Sequence, residues 1–202
     1  MTSNTTTESS EERIIRAATA CFARWGVAKT SMGDIAAAAG MLRPHLYRHF
    51  ESKEALITTV IVRESRALGQ ERLRMFPRRG RASSFFLKAL MYGQERLATN
   101  EFANYVAQDG SGLLVRLLAT DSAFLESEGL WWNPALDYGR DRGEVREDLS
   151  NAEIIRWFLL SQMTVFERRD LWPNEDELRR HLERFVIAAI ATRSSPQPDD
   201  GM

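Results

Sequence analysis

Residues 30–56 read TSMGDIAAAAGMLRPHLYRHFESKEAL. Ser31 with Asp34 three residues on has the spacing of a capping box, in which side chain and backbone at a helix start satisfy each other. Met32, Ile35, Ala36 and Ala39 then fall on one short helical face, and Gly40 stops it. A second short segment runs from about Arg43 to His49, and Ser52 caps a longer helix that starts at Lys53. A short capped helix, a glycine turn over Gly40–Leu42 and another short helix make a helix-turn-helix. The second helix carries Arg43, His45, Tyr47, Arg48 and His49, side chains able to hold phosphate or read a base edge. An open helix start adds backbone N–H groups that favour anions.

Working outward, Ser9 with Glu12 predicts an earlier capping box. Ile14, Ala17, Ala18, Cys21, Phe22 and Trp25 follow at helical spacing, and Gly26 ends that helix. On the other side, the Lys53 helix extends to about Met75, with Leu56, Val60 and Leu68 facing inward, and the Pro77–Gly80 stretch breaks it. Further helices are predicted from Ser83 to Ala98, over a segment interrupted at Gly110 and Gly112, and from 122 to 142. The last of these is expected to be kinked or broken where Asn133 and Pro134 resemble a fresh helix start. Ser150 with Glu153 caps a helix to about Arg169, and Asn174 with Glu177 a last one to about Thr192. With no alternating strand pattern, the fold class is all-α. The expected organisation is an arm over 1–9, a DNA-binding unit over 10–52, a ligand-binding and dimerisation unit over 53–192, and a tail from 193 to 202. The arm and the tail are both expected to be disordered.

The 202 residues carry a net charge of −1, but unevenly: residues 1–81 hold 14 Lys/Arg against 8 Asp/Glu, and the remainder 13 against 20. A basic front half fits an anionic partner, although a solvated basic surface gives the same count. A single cysteine excludes an internal disulfide and a multi-cysteine metal site, and inside an apolar stripe it is a small buried residue. The apolar runs are shorter than the ~18 residues of a membrane span. The polar first ten residues lack the core of a signal peptide. These features point to a cytoplasmic protein without membrane contact. His45 and His49 have a metal-ligand spacing, but the zinc-protease pattern requires Glu after the first His, where Leu46 stands. No metal or cofactor is expected.

The stretch from Thr30 to Gly40, then Leu46-Tyr-Arg-His-Phe50, then Ser52-Lys-Glu-Ala-Leu56, resembles the DNA-binding domain of TetR-family transcriptional regulators. The resemblance covers about residues 10–57. It implies a homodimer on a double-stranded operator, with a small-molecule effector bound farther along the chain. By position, Tyr47, His49 and Lys53 match residues that hold phosphates, and Arg43, Pro44 and His45 the start of the recognition helix. Ser31 matches a backbone contact, and Arg48 lies beside the backbone. Two departures stand out. Leu42 occupies a common capping position, at a cost of about 1 kcal/mol, and Gly33 replaces a frequent basic residue.

Beyond Lys53 the resemblance transfers little, and the residues must speak for themselves. The middle is rich in aromatic side chains, and the candidate pocket lining is Phe86, Tyr92, Tyr105, Gln108, Trp131, Trp132, Phe158 and Gln162. Such a lining suits a mostly apolar effector, although each residue also fits a plain core. The two terminal helices have surplus apolar surface, which fits a four-helix dimer contact through Phe158, Phe166, Leu178, Leu182, Phe185 and Ala189. Arg72, Arg74, Arg78, Arg79 and Arg81 are expected on a solvated face, and so are Glu126, Glu128, Asp137 and His181. The leading function is a ligand-responsive transcriptional regulator, of the repressor type. The alternatives are an all-α enzyme acting on an apolar small molecule, or a dimeric interaction module without DNA binding. The first alternative lacks a phosphate loop or nucleophile elbow, since Ser111 sits in a bare Gly-Ser-Gly.

Overall fold

The computed structural model describes residues 8–76, 79–108 and 122–192. The interruptions at Gly110 and Gly112, the Pro77 break, most of the N-terminal arm and the tail lie outside the described residues. Among those described, the fold is all-α apart from one isolated antiparallel bridge between Val145 and Ala191.

Helix α1 (Ser10–Trp25) begins at the predicted capping box, with Ser9 N donating to the Glu12 carboxylate at 2.9 Å and Glu12 N to Ser9 Oγ at 3.1 Å. It buries Ile14, Ala17, Ala18, Cys21 and Phe22, while Trp25 turns outward instead of joining the stripe. Helix α2 (Met32–Ala38) starts at the Ser31–Asp34 box. Gly40 then takes φ +64°, a left-handed turn that glycine enters without strain. Helix α3 (Arg43–His49) forms although Leu42 gives no side-chain cap; Pro44, in the first turn, has its φ already set for a helix. Leu46 and Phe50 are the anchors that bury α3 against its neighbours.

Helix α4 (Lys53–Arg74) is capped by Ser52 Oγ, which accepts from Ala55 N at 3.0 Å. Then come α5 (Ala82–Ala98), α6 (Glu101–Gln108), α7 (Ser122–Asp141) and α8 (Asn151–Glu167), the last with the predicted Ser150–Glu153 box. Helices α4, α5, α7 and α8 pack on one another, and α6 leans back on α1, where the Phe22 and Phe102 rings meet at 5.6 Å. Leu56 and Val60 are fully inside, and Leu68 is half-buried.

Two expectations need correction here. Asn133–Pro134 does not start a new helix, because α7 runs through it unbroken. Proline removes the hydrogen bond to the carbonyl of Leu130, a residue 62% exposed, so water can satisfy that oxygen. The last helix does not reach Thr192: α9 (Glu175–His181) gives way to a π-helical stretch over Leu182–Ile187. Past it the backbone pairs with the loop before α8, with Arg146 N donating to Ile190 O at 2.9 Å and Thr192 N to Glu144 O at 3.2 Å. That pairing pulls the chain out of helical geometry.

One buried cation joins four of these helices. Arg72 of α4 is 3% exposed; its Nε donates to Ala89 O of α5 at 3.2 Å and its Nη2 to Gln162 Oε1 of α8 at 2.9 Å. Its guanidinium also lies over the Trp132 ring of α7, 5.1 Å from the centroid. Gln94 completes the contact by donating to Gln162 O at 2.8 Å. Gly93 makes room for it, since a Cβ there would overlap Arg72 Nη2 and Gln162 Oε1. Gly93→Ala is therefore expected to destabilise the fold by about 1–3 kcal/mol through overpacking. Alanine's better helix propensity offsets at most ~1 kcal/mol of this. Calorimetry should find a melting temperature lower by several degrees; an unchanged value would show that Arg72 can lie elsewhere.

Candidate nucleic-acid interface and interior cavity

Helix α3 exposes Arg43, Pro44, His45, Tyr47, Arg48 and His49 together, and buries Leu46 alone of its seven residues. So short a helix can present all these side chains only because its neighbours hold it by one leucine and the phenylalanine that follows. Arg43 and Tyr47 are one turn apart and touch: Nη2 donates to the Tyr47 hydroxyl at 3.2 Å, and the guanidinium carbon sits 5.5 Å from the ring centroid. Ser31 is exposed beside this surface, but its hydroxyl is engaged with Asp34 in the α2 cap.

Lys53 differs from its expected role. Its Nζ donates to Val27 O at 2.7 Å, Thr30 O at 2.9 Å and Ala28 O at 3.5 Å. The ammonium thus closes the loop between α1 and α2 rather than standing free for a phosphate. An ammonium carries three donors, and three carbonyls take them.

Among the described residues no group of three or more His, Cys, Asp or Glu side chains could hold a metal ion. No helix of the described residues is long and apolar enough to cross a membrane.

The interior holds a cavity of about 100 Å³ between α4, α5, α6, α7 and α8. Ile61, Leu68, Leu97, Ala103, Phe124, Leu159 and Met163 give it apolar walls; Glu64, Ser65, Arg72, Arg96, Asn100, Glu128 and Gln162 give it polar ones. Of the residues expected to line a pocket, the structure brings only Gln162 to this cavity. Phe86, Trp132 and Phe158 stack on one another with ring centroids 4.9–6.5 Å apart and form solid core. Trp131 is half-buried over Gly69, and Tyr105 packs against the core edge. Tyr92 faces a larger, more open hollow of about 880 Å³ shared with Phe166, and its hydroxyl donates to Glu71 at 2.6 Å. Gln108 ends α6, and its side chain lies outside the described residues.

The expected solvated charges also divide. Arg74, Arg79 and Arg81 are exposed, as are Glu126 and Asp137, and Arg78 lies outside the described residues. Arg72 and Glu128 instead are buried in the cavity wall, where Glu128 is 2% exposed. Glu128 accepts from Ser65 Oγ and from Trp132 Nε1, the latter at 3.2 Å. Burial pushes its carboxyl up from the ordinary 4.5, against the opposing pull of Arg72 and those two donors. Burial likewise pulls Arg72 down, with Glu128 and Tyr92 opposing. His181 is only part-exposed, flanked by the Trp172 and Phe185 rings at 4.5 and 5.4 Å, and burial lowers its pKa.

The proposed dimer residues separate in the same way. Phe158, Leu178 and Leu182 are buried within the protomer, Phe158 against the Phe86 and Trp132 rings, and Phe166 is half-buried. Phe185 is 64% exposed and Ala189 lies exposed beyond it. Trp157, part of the apolar surface of α8, is 40% exposed on the same side, with its Nε1 donating to Val186 O at 3.0 Å.

A glycine turn between two short helices, with the second helix open to solvent over basic and aromatic side chains, is the geometry of a helix-turn-helix. Residues 14–60 match the sequence profile of bacterial regulatory proteins of the tetR family. An "uncharacterized HTH-type transcriptional regulator" of Mycobacterium tuberculosis is 46% identical over 65 residues, which is 32% of this chain and 32% of that protein. The chain thus matches about a third of the length of its curated relatives. Similarity of fold extends much farther. The fatty acid degradation regulator FadR of Bacillus halodurans superposes over 88% of this chain and 94% of its own, with a TM-score of 0.67 at 16% identity. SmeT, the repressor of a Stenotrophomonas maltophilia multidrug efflux pump, covers 96% of both chains with a TM-score of 0.61 at 23% identity.

The burial of Glu128 has a consequence for stability. With its pKa above the unfolded value, the folded state binds the extra proton, so stability should fall as pH rises from about 4.5 toward the raised value. The limiting slope is about 1.4 kcal/mol per pH unit. Urea melts between pH 5 and 8 should show this decline in the wild type and a flatter profile in Glu128→Gln. Identical slopes would mean that Glu128 stays ionised where it lies.

Proposed function

We propose that the protein is a homodimeric repressor that binds a palindromic operator through α3 and leaves it when a small molecule enters the interior cavity. The exposure of every α3 side chain except Leu46 carries this reading, since an interaction module without DNA binding has no need of an open basic helix. Phosphate contacts from Tyr47, His49 and Arg48 supply affinity, and Arg43, Pro44 and His45 read bases. Lys53 contributes by fixing the loop behind α2. Trp157, Phe185 and Ala189 belong to the surface that pairs with a second copy, and the two-fold axis sets the spacing of the recognition helices. Such a protein works in the cytoplasm. An effector, mostly apolar with one or two polar groups, acts by favouring a protomer arrangement with a different α3 separation. SmeT has also been solved as a complex with triclosan, covering 94% of this chain at 21% identity, which supports a small-molecule ligand here.

Arg43→Ala should relax preference at one position of each half-site, by about 1–3 kcal/mol, when binding to a selected operator is compared with single-base variants. Tyr47→Ala should weaken all sites about equally. Wild-type binding by both variants would remove α3 from the interface. Phe185→Glu should leave the protomer folded, because the side chain is already mostly in water, but should shift light scattering toward monomer and weaken operator binding at least tenfold. A wild-type chain that is monomeric at micromolar concentration would overturn the dimer.

A further inference from the structure

We infer that the cavity selects an effector with an anionic head, a short-chain organic acid whose carboxylate lies against Arg72 and whose hydrocarbon part lies along Leu68, Phe124 and Leu159. The inference rests on the cavity being the effector site and specifies what enters it.

Arg72 is a buried cation without a paired carboxylate among the described residues. A buried ion is costly unless an opposite charge or several hydrogen bonds meet it. Arg72 is 3% exposed, and among the described residues its guanidinium donates twice, to Ala89 O and to Gln162 Oε1, and has no carboxylate within ion-pair distance. Five N–H donors in a planar fork leave capacity for a bidentate acceptor. The buried acid in the same wall is Glu128. Its two oxygens already accept from Ser65 and Trp132, and burial favours its protonated form.

The two groups respond differently to burial. A carboxyl can take up a proton and become neutral, whereas a guanidinium in a protein stays charged. Arg72 is therefore left as a buried cation with no carboxylate paired to it among the described residues. At its edge Arg96 is already paired with Glu71 at 3.5 Å, and Asn100 with Glu64 at 3.3 Å, so neither carboxylate is directed at Arg72. A cationic ligand would meet Arg72 unscreened. A neutral apolar one would leave the guanidinium as it is. An anion supplies the missing partner.

Size sets the second limit. About 100 Å³ is less than the ~150 Å³ of an apolar cavity that admits benzene. A carboxylate with a chain of a few carbons fits, whereas a polycyclic or long acyl compound requires the walls to move.

The test compares compounds of one shape and different charge on the full chain. Propionate and butyrate, propionamide and butyramide, and butylamine are titrated by calorimetry, and each is assayed for release of a DNA fragment selected by the protein. The acids are expected to bind at least tenfold tighter than the amides and to release DNA, with the amine weakest. Arg72→Gln should abolish the preference for acid over amide, and Arg72→Lys should retain part of it. The wild-type comparison stands even if a variant fails to fold. Amides that bind as tightly as the acids and release DNA would overturn the anionic head while leaving the effector cavity intact. If no compound of any charge binds at millimolar concentration or moves DNA, both the head and the cavity reading fall.

Discussion

A single guanidinium, that of Arg72, is buried, and the helices of the larger unit are arranged around it. Hydrogen bonds from α4 reach α5 and α8, and the cation lies on the α7 tryptophan. Each contact requires its helix at a particular height. Gly93 is the complementary requirement on α5, a position where any side chain would collide with the group it serves. Apolar packing gives the bundle most of its stability, but it is non-directional. The hydrogen bonds of Arg72 are directional, and they help to fix the register of the helices.

The same helix carries a second fastened cation. Lys53 opens α4 and holds the α1–α2 loop; Arg72 lies near its far end, 19 residues on, about 28 Å at 1.5 Å per residue. The helix-turn-helix and the cavity are thus attached to opposite ends of one rod. A change in what Arg72 touches can alter the tilt of α4, and a change in tilt carries the loop behind α2 with it. Under the proposed function, these contacts at the two ends of α4 would be the physical link that coupling between effector and operator requires.

Local chemistry was legible in the sequence. Ser9, Ser31, Ser52, Ser150 and Asn174 cap their helices as their spacing predicts, and Gly40 turns where a left-handed residue is needed. The site was less so. Arg72 and Gln162 are 90 residues apart, and a charge in a basic run looks solvated until its distant partner is known. Glu128 misled in the same way. Signals were available: Gly69 and Gly93 stand in the middle of helices, where glycine is unfavourable unless something passes close by. The aromatic residues erred in the opposite direction, since Phe86, Trp132 and Phe158 fill space rather than border it. Leu178 and Leu182 looked surplus because periodicity shows that a face is apolar without showing which neighbour covers it.

If α3 reads an operator as proposed, the contact between Arg43 and Tyr47 bears on how fast and how selectively it searches. An arginine free in solvent samples many rotamers, and fixing one costs about 2 kcal/mol of side-chain entropy. Here the hydroxyl and ring of Tyr47 already narrow that sampling, one helical turn away. A guanidinium restrained in this way has less disorder to lose on meeting a guanine edge. It would also be less free to wander onto the nearest phosphate, which would leave fewer unproductive encounters during such a search. Whatever base such an arginine favours, the tyrosine beside it would help to decide how quickly that base is recognised.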